Sequence, residues 1–177
     1  MRINMRILVV GLGLCLSLTS GVIAQQLQDF TGTWKVDPDK VQEKTTLLDT
    51  APENAPDVPP PPPAGHKYTP EEIKLDGQIL RISGGEAGTA AIYTIDPSGK
   101  EVSDTIPDSD PITVRIATTK WSEGKLVTKW KMEREGRVFM HGTDVHSLTP
   151  EGTLLVTREI ESSEHRAQVR LVLGKVR

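Results

Sequence analysis

WSEGKLVTKWKMEREGRV, residues 121–138, decides the fold. Leu126, Thr128, Trp130 and Met132 alternate with Val127, Lys129, Lys131 and Glu133. A period of two belongs to a strand with one face on a core and the other in water. Ser122-Glu123-Gly124 stands before this strand and Glu135-Gly136 after it. Glycine supplies the positive φ that tight hairpin connections need. The stretch therefore reads turn, strand, turn, the unit of an antiparallel meander.

The face that carries Trp130 must be the buried one. If Glu135-Gly136 is a two-residue loop, Arg134 pairs with Arg137. Counting back sets Met132 opposite Phe139, Trp130 opposite His141, Thr128 opposite Thr143 and Leu126 opposite Val145. On that count Trp130, Met132, Phe139 and His141 line the interior and are the expected ligand-binding residues. Asp144 and His146 are expected to point outward. The preceding hairpin has two registers. A three-residue loop buries Val114, Ile116 and Thr118, and a two-residue loop buries Arg115, Ala117, Thr119 and Trp121. A slip of one residue exchanges the faces. The first is expected, because it buries β-branched residues rather than an arginine.

Outward from this stretch the same texture continues. Asp76-Gly77 divides two β-rich runs, and Asp96-Pro97-Ser98-Gly99 and Thr149-Pro150-Glu151-Gly152 both have the form of a type I turn closed by a left-handed glycine. Asp108-Ser109-Asp110-Pro111 and residues 161–164 supply further turns. Short Val/Ile/Thr/Leu-rich runs recur about every dozen residues, which implies an all-β chain, either sandwich or barrel. Closure removes exposed edges, so the expectation is an up-and-down meander closed as a barrel of about 8–10 strands. Upstream, residues 33–36 form one more strand candidate, and residues 41–48 have room for about two helical turns. Residues 51–65 hold Pro52, Pro56 and the run 59–63, a proline-rich excursion expected in polyproline II conformation.

The amino end is of another kind. Arg2 and Arg6 precede an almost wholly apolar run, and Val22 and Ala24 sit at the −3 and −1 positions of a cut before Gln25. Residues 1–24 read as a secretory signal peptide, and residues 25–177 as a single domain, secreted or periplasmic. Cys15 does not form a lipobox, since Leu14 stands where a small residue is wanted. It is the chain's one cysteine, so the processed chain has neither disulfide nor thiolate chemistry. The 177-residue chain carries a net charge of −3, and losing the leader's two arginines makes it more acidic. An acidic chain is a poor partner for nucleic acid, and no second apolar run is long enough to span a bilayer as a helix.

Motifs of catalysis are sparse. His66, His141, His146 and His165 lack metal-ligand spacing, so no metal is expected. There is no Gly-x-Ser-x-Gly, and residues 83–88, though glycine-rich, open no helix that would cradle a phosphate. No catalytic residue and no cofactor is expected.

Gly32-Thr33-Trp34 closes the reading. Together with residues 29–38, the proline tract, Trp121-x-x-Gly124-Lys125-Leu126 and residues 147–154, it resembles a group of bacterial secreted lipocalin-like, calycin-type barrels. The resemblance covers most of residues 29–177. It implies that Gly32 and Trp34 form the floor of a barrel, and that a late arginine packs on Trp34, with Arg158, Arg166, Arg170 and Arg177 as candidates. It implies no established activity. The expected role is binding of a small apolar or amphipathic molecule inside the barrel. The alternative is a filled barrel that serves as a structural or protein-interaction domain.

Overall fold

The alternating runs become eleven antiparallel strands in one sheet. The computed structural model describes residues 25–47, 71–84, 93–106 and 109–176. The leader, the proline tract and residues 85–88 lie outside the described residues. The strands are β1 (Gly32–Val36), β2 (Gln42–Leu47), β3 (Glu71–Asp76), β4 (Ile79–Ser83), β5 (Tyr93–Ile95), β6 (Ser98–Ile106), β7 (Thr113–Ser122), β8 (Lys125–Arg134), β9 (Arg137–Leu148), β10 (Leu154–Ser162) and β11 (His165–Lys175). Ten of them run in the order β5-β4-β3-β1-β11-β10-β9-β8-β7-β6, and β2 pairs with β11 off this path. The result is a nearly closed barrel.

Residues 41–48 form no helix. β2 pairs with β11 from Gln42–Arg170 to Leu47–His165, beyond the point where β1 pairs with its other end. A 3-10 turn at Pro38–Lys40 joins the two, so β1 and β2 act as one kinked strand along a single edge. The β-branched Thr45 and Thr46 suit that extended geometry, and the edge of β11 offers hydrogen bonds that an isolated pair of helical turns lacks.

One end of the barrel is sealed by apolar side chains. A helical turn over residues 25–30 lays Leu27 and Phe30 against it. Trp34 is 1% exposed, and its indole N–H donates to the Phe30 carbonyl at 2.8 Å. Phe30 meets Trp121 edge to face at 5.9 Å. Leu126, Leu154 and Leu173, fully buried, complete the layer. The cation over Trp34 is a lysine, and of the expected arginines Arg177 lies outside the described residues. Lys175 is the cross-strand partner of Trp34, and its Nζ lies 5.3 Å from the ring centroid. Its stem crosses Gly32, where an added Cβ would come within 2.6 Å of Lys175 Cε. Arg158, Arg166 and Arg170 are engaged elsewhere, with Asp144, Glu161 and Gln42.

The seam is of a different construction. β5 and β6 end the strand order and lie side by side, with no backbone ladder between them among the described residues. Side chains bridge the gap. The Thr94 N–H donates to Asp104 Oδ2 at 3.0 Å, so a carboxylate takes the place of a ladder carbonyl. Arg115, the cross-strand neighbour of Asp104 on β7, stands inside the seam with its guanidinium 4.7 Å from the Tyr93 ring centroid.

Candidate functional site

Two one-residue slips decide what the interior contains. In the β7–β8 hairpin Ser122 pairs with Lys125, so the loop is Glu123-Gly124, both at positive φ. The face turned inward is therefore Thr113, Arg115, Ala117 and Thr119, and not Val114, Ile116 and Thr118. The arginine is tolerated there because Asp104 and Tyr93 meet it. Thr119 and Thr128, directly opposite, share a hydrogen bond of 2.8 Å.

In the β8–β9 hairpin Arg134 does pair with Arg137, as the turn predicts, but Phe139 is an extra residue. The bulge falls between Met132–Met140 and Glu133–Val138, and it shifts the rest of β9 by one. Trp130 therefore faces Gly142, Thr128 faces Asp144 and Leu126 faces His146. Of the four residues expected to line the interior, Trp130 is buried and Met132 is half-buried. Phe139 sits in the bulge beneath Arg134, whose guanidinium is 4.5 Å from its ring centroid, and His141 is exposed. Asp144 and His146, expected outside, are each 4% exposed inside. The glycine at 142 has a steric reason. A Cβ there would lie 2.6 Å from the Trp130 ring and would collide with the Glu159 carbonyl.

The slips bring together a charged group within the barrel. Asp144 is its centre. Its Oδ1 accepts from the Trp130 indole N–H at 2.9 Å and from Arg158 Nε at 3.0 Å, and its Oδ2 accepts from Arg158 Nη2 at 3.3 Å. Burial pushes the Asp144 carboxyl up, yet the Arg158 charge, His146 and these hydrogen bonds outweigh it and hold the acid below its ordinary range. Asp144 in turn raises Arg158, whose side chain keeps 29% of its surface in solvent. This pair is closed on itself: a two-pronged ion pair with a third donor fixing the carboxylate.

Around it stand three groups with unspent capacity. Arg115 Nη1 has no hydrogen-bond partner and is 3.5 Å from Asp104 Oδ2, too long for a good hydrogen bond. Burial lowers its pKa, and Asp144, Tyr93 and Asp104 oppose that. His146 Nδ1 is also without a partner, and burial pulls its pKa from 6.5 to about 4, so the ring is neutral at ordinary pH. Glu71 on β3 faces inward beside Trp34, and its Oε2 is buried and unpartnered. Burial raises its pKa, with Arg158 acting against the shift. No group of three or more His, Cys, Asp or Glu among the described residues has the geometry to hold a metal ion.

The fold and this interior define an antiparallel up-and-down barrel, apolar at one end and charged midway. No family model matches the chain, and no curated protein matches it. Among solved structures it is similar in shape to a REP1-NXSQ fatty acid transporter, with a TM-score of 0.49 and 11% identity over 85% of this chain and 98% of that one. At that distance the barrel assignment rests on this chain's own strands. No described helix is long and apolar enough to cross a membrane.

Proposed function

We propose that this protein is an exported lipocalin-like barrel that binds a small amphipathic molecule in its interior. One observation supports the reading: buried polar atoms on Arg115, His146 and Glu71 that make no hydrogen bond within the protein. An orphaned buried polar group costs about 1–3 kcal/mol, and a barrel that only had to be filled would be more stable with hydrophobic side chains there. Such groups, beside the apolar Ile73, Leu80, Ile82 and Ile95, match the usual make-up of a small-molecule site: apolar walls and a few convergent polar atoms. Trp130 is buried and Met132 half-buried on β8, whereas His141 is exposed and Phe139 lies in the bulge beneath Arg134. Export rests on residues 1–24, and processed protein should begin at Gln25.

Native mass spectrometry of protein purified under mild conditions tests the binding reading. A discrete mass increment that organic extraction removes is the expected result. A single bare mass, joined to failure of any hydrophobic probe to bind saturably, favours the filled structural barrel instead.

A further inference from the structure

Two ion pairs stand inside the barrel before any ligand arrives. Arg158 is matched by Asp144 and Arg115 by Asp104. The two arginines are not equivalent. Arg158 spends Nε and Nη2 on Asp144, which Trp130 also holds in place. Arg115 makes only the 3.5 Å approach to Asp104, whose Oδ2 is already tied to the Thr94 N–H of the seam. Its Nη1, the atom of that approach, makes no hydrogen bond and is shut off from water. A guanidinium has a planar fork of donors suited to an oxyanion, and this one lies over the Tyr93 ring, 4.7 Å from its centroid. An arriving anion would add a negative charge that no free cation of these pairs matches. Asp144 is held ionised by its partners, and Asp104 Oδ2 meets both the Thr94 N–H and Arg115. Glu71 is the carboxyl with an unpartnered, buried oxygen, and it feels Arg158 and Asp144 across the interior. Its cross-strand neighbour is Trp34, under Lys175, while Glu72 and Lys74 of its own strand pair with each other at 2.9 Å.

We propose that the ligand is an amphiphile with a single oxyanion head, that Arg115 receives the oxyanion, and that Glu71 takes up a proton when it arrives. This rests on the binding reading above and adds the ligand's charge, its anchor and a linked proton. Protonated Glu71 removes one negative charge from the interior and gains an O–H to donate. The raised pKa of Glu71 agrees with its being the group that yields.

Two fluorescent probes with the same aromatic body separate the claims: anilinonaphthalene sulfonate, an anion at every working pH, and neutral N-phenylnaphthylamine. Titrations use the whole processed chain at about pH 8 and about pH 5, both above the ordinary carboxylate range. Near-ultraviolet dichroism of the tryptophans certifies the same fold in each case. The sulfonate should bind more tightly at the lower pH. Glu71→Gln should bind it tightly at both, with the pH dependence gone. Arg115→Gln should weaken the sulfonate by roughly ten- to a hundredfold, the loss of one charged hydrogen bond, and leave the neutral probe unchanged. If Arg115→Gln does not fold, Arg115→Lys decides, since it keeps the charge and loses the fork, and it must weaken the sulfonate more than the amine. Equal weakening of both probes by the arginine variants, or a sulfonate affinity independent of pH in the wild type, overturns the proposal. Saturable binding of neither probe overturns the binding reading itself.

Discussion

The sealed end of the barrel and its charged middle are built from the same strands by opposite means. At the sealed end Leu126, Leu154 and Leu173 are each fully buried and Trp34 nearly so, and their stabilisation is the removal of apolar surface from water. A few residues along the same strands, Thr128 and Asp144 are buried and Arg158 is half-buried, yet they hold polar atoms. Their stabilisation depends on geometry: a hydrogen bond or ion pair that must be made, because leaving it unmade is expensive. The first region tolerates rearrangement of similar volumes. The second tolerates removal of both partners better than removal of one.

Substitutions separate the two behaviours. The largest effect is expected at the sealed end, where Trp34→Ala should cost about 3–5 kcal/mol in urea melts, the range for a large aromatic truncated in a core. Asp144→Ala should come close to it, at about 3–4 kcal/mol, because it strands Arg158 and the Trp130 N–H. The comparison sharpens with the double variant Asp144→Leu, Arg158→Met, which should recover most of that loss. If the double variant is as unstable as Asp144→Ala alone, the charged middle is not an isolated pair but part of a larger obligate network.

A pH titration of stability distinguishes the regions next. Folded His146 has a pKa of about 4 against 6.5 for the ordinary side chain, so the unfolded chain takes up the proton first. The fold carries no penalty from this group above about pH 6.5 and loses roughly 3 kcal/mol as the pH falls through that window to about 4. Glu71 acts with the opposite sign: its raised pKa gives stability that is full below its unfolded value and is lost as the pH rises through its folded one. His146→Gln should flatten the acid limb of thermal melts, whereas changes at the sealed end should leave its slope alone. The smallest effect is expected from Thr119→Val, about 1 kcal/mol, since it breaks one neutral hydrogen bond to Thr128.

The strands and most turns were legible in the sequence. Gly99 and Gly152 adopt the left-handed backbone expected of their turns, and Arg134 meets Arg137. What lay hidden was register, and with it the charged middle. Counting from Glu135-Gly136 puts His141 inside, but counting back from the Thr149–Gly152 turn, where Leu148 pairs with Leu154, puts His146, Asp144 and Gly142 inside. Both counts are locally sound, and their conflict within one strand is the mark of a bulge between the two turns. A second signal was Gly142, because an inward indole needs a small residue opposite it. Arg115 was misplaced by a rule of thumb. Aliphatic side chains usually win the interior, but here Asp104 one strand away and Tyr93 across the seam make a place for a cation, and neither neighbour is visible in a local pattern. The strand at residues 42–47 likewise depends on β11, more than a hundred residues away, for its hydrogen bonds.

The central claim is that the charged middle, and not the sealed end, receives a ligand. Fluorine NMR of the protein labelled with fluorotryptophan tests it most directly, because the chain's three tryptophans, Trp34, Trp121 and Trp130, sample both regions. On titration with N-phenylnaphthylamine, the Trp130 resonance should shift and saturate while that of Trp34 stays fixed. No saturable shift at Trp130, or equal shifts at Trp130 and Trp34, would contradict it.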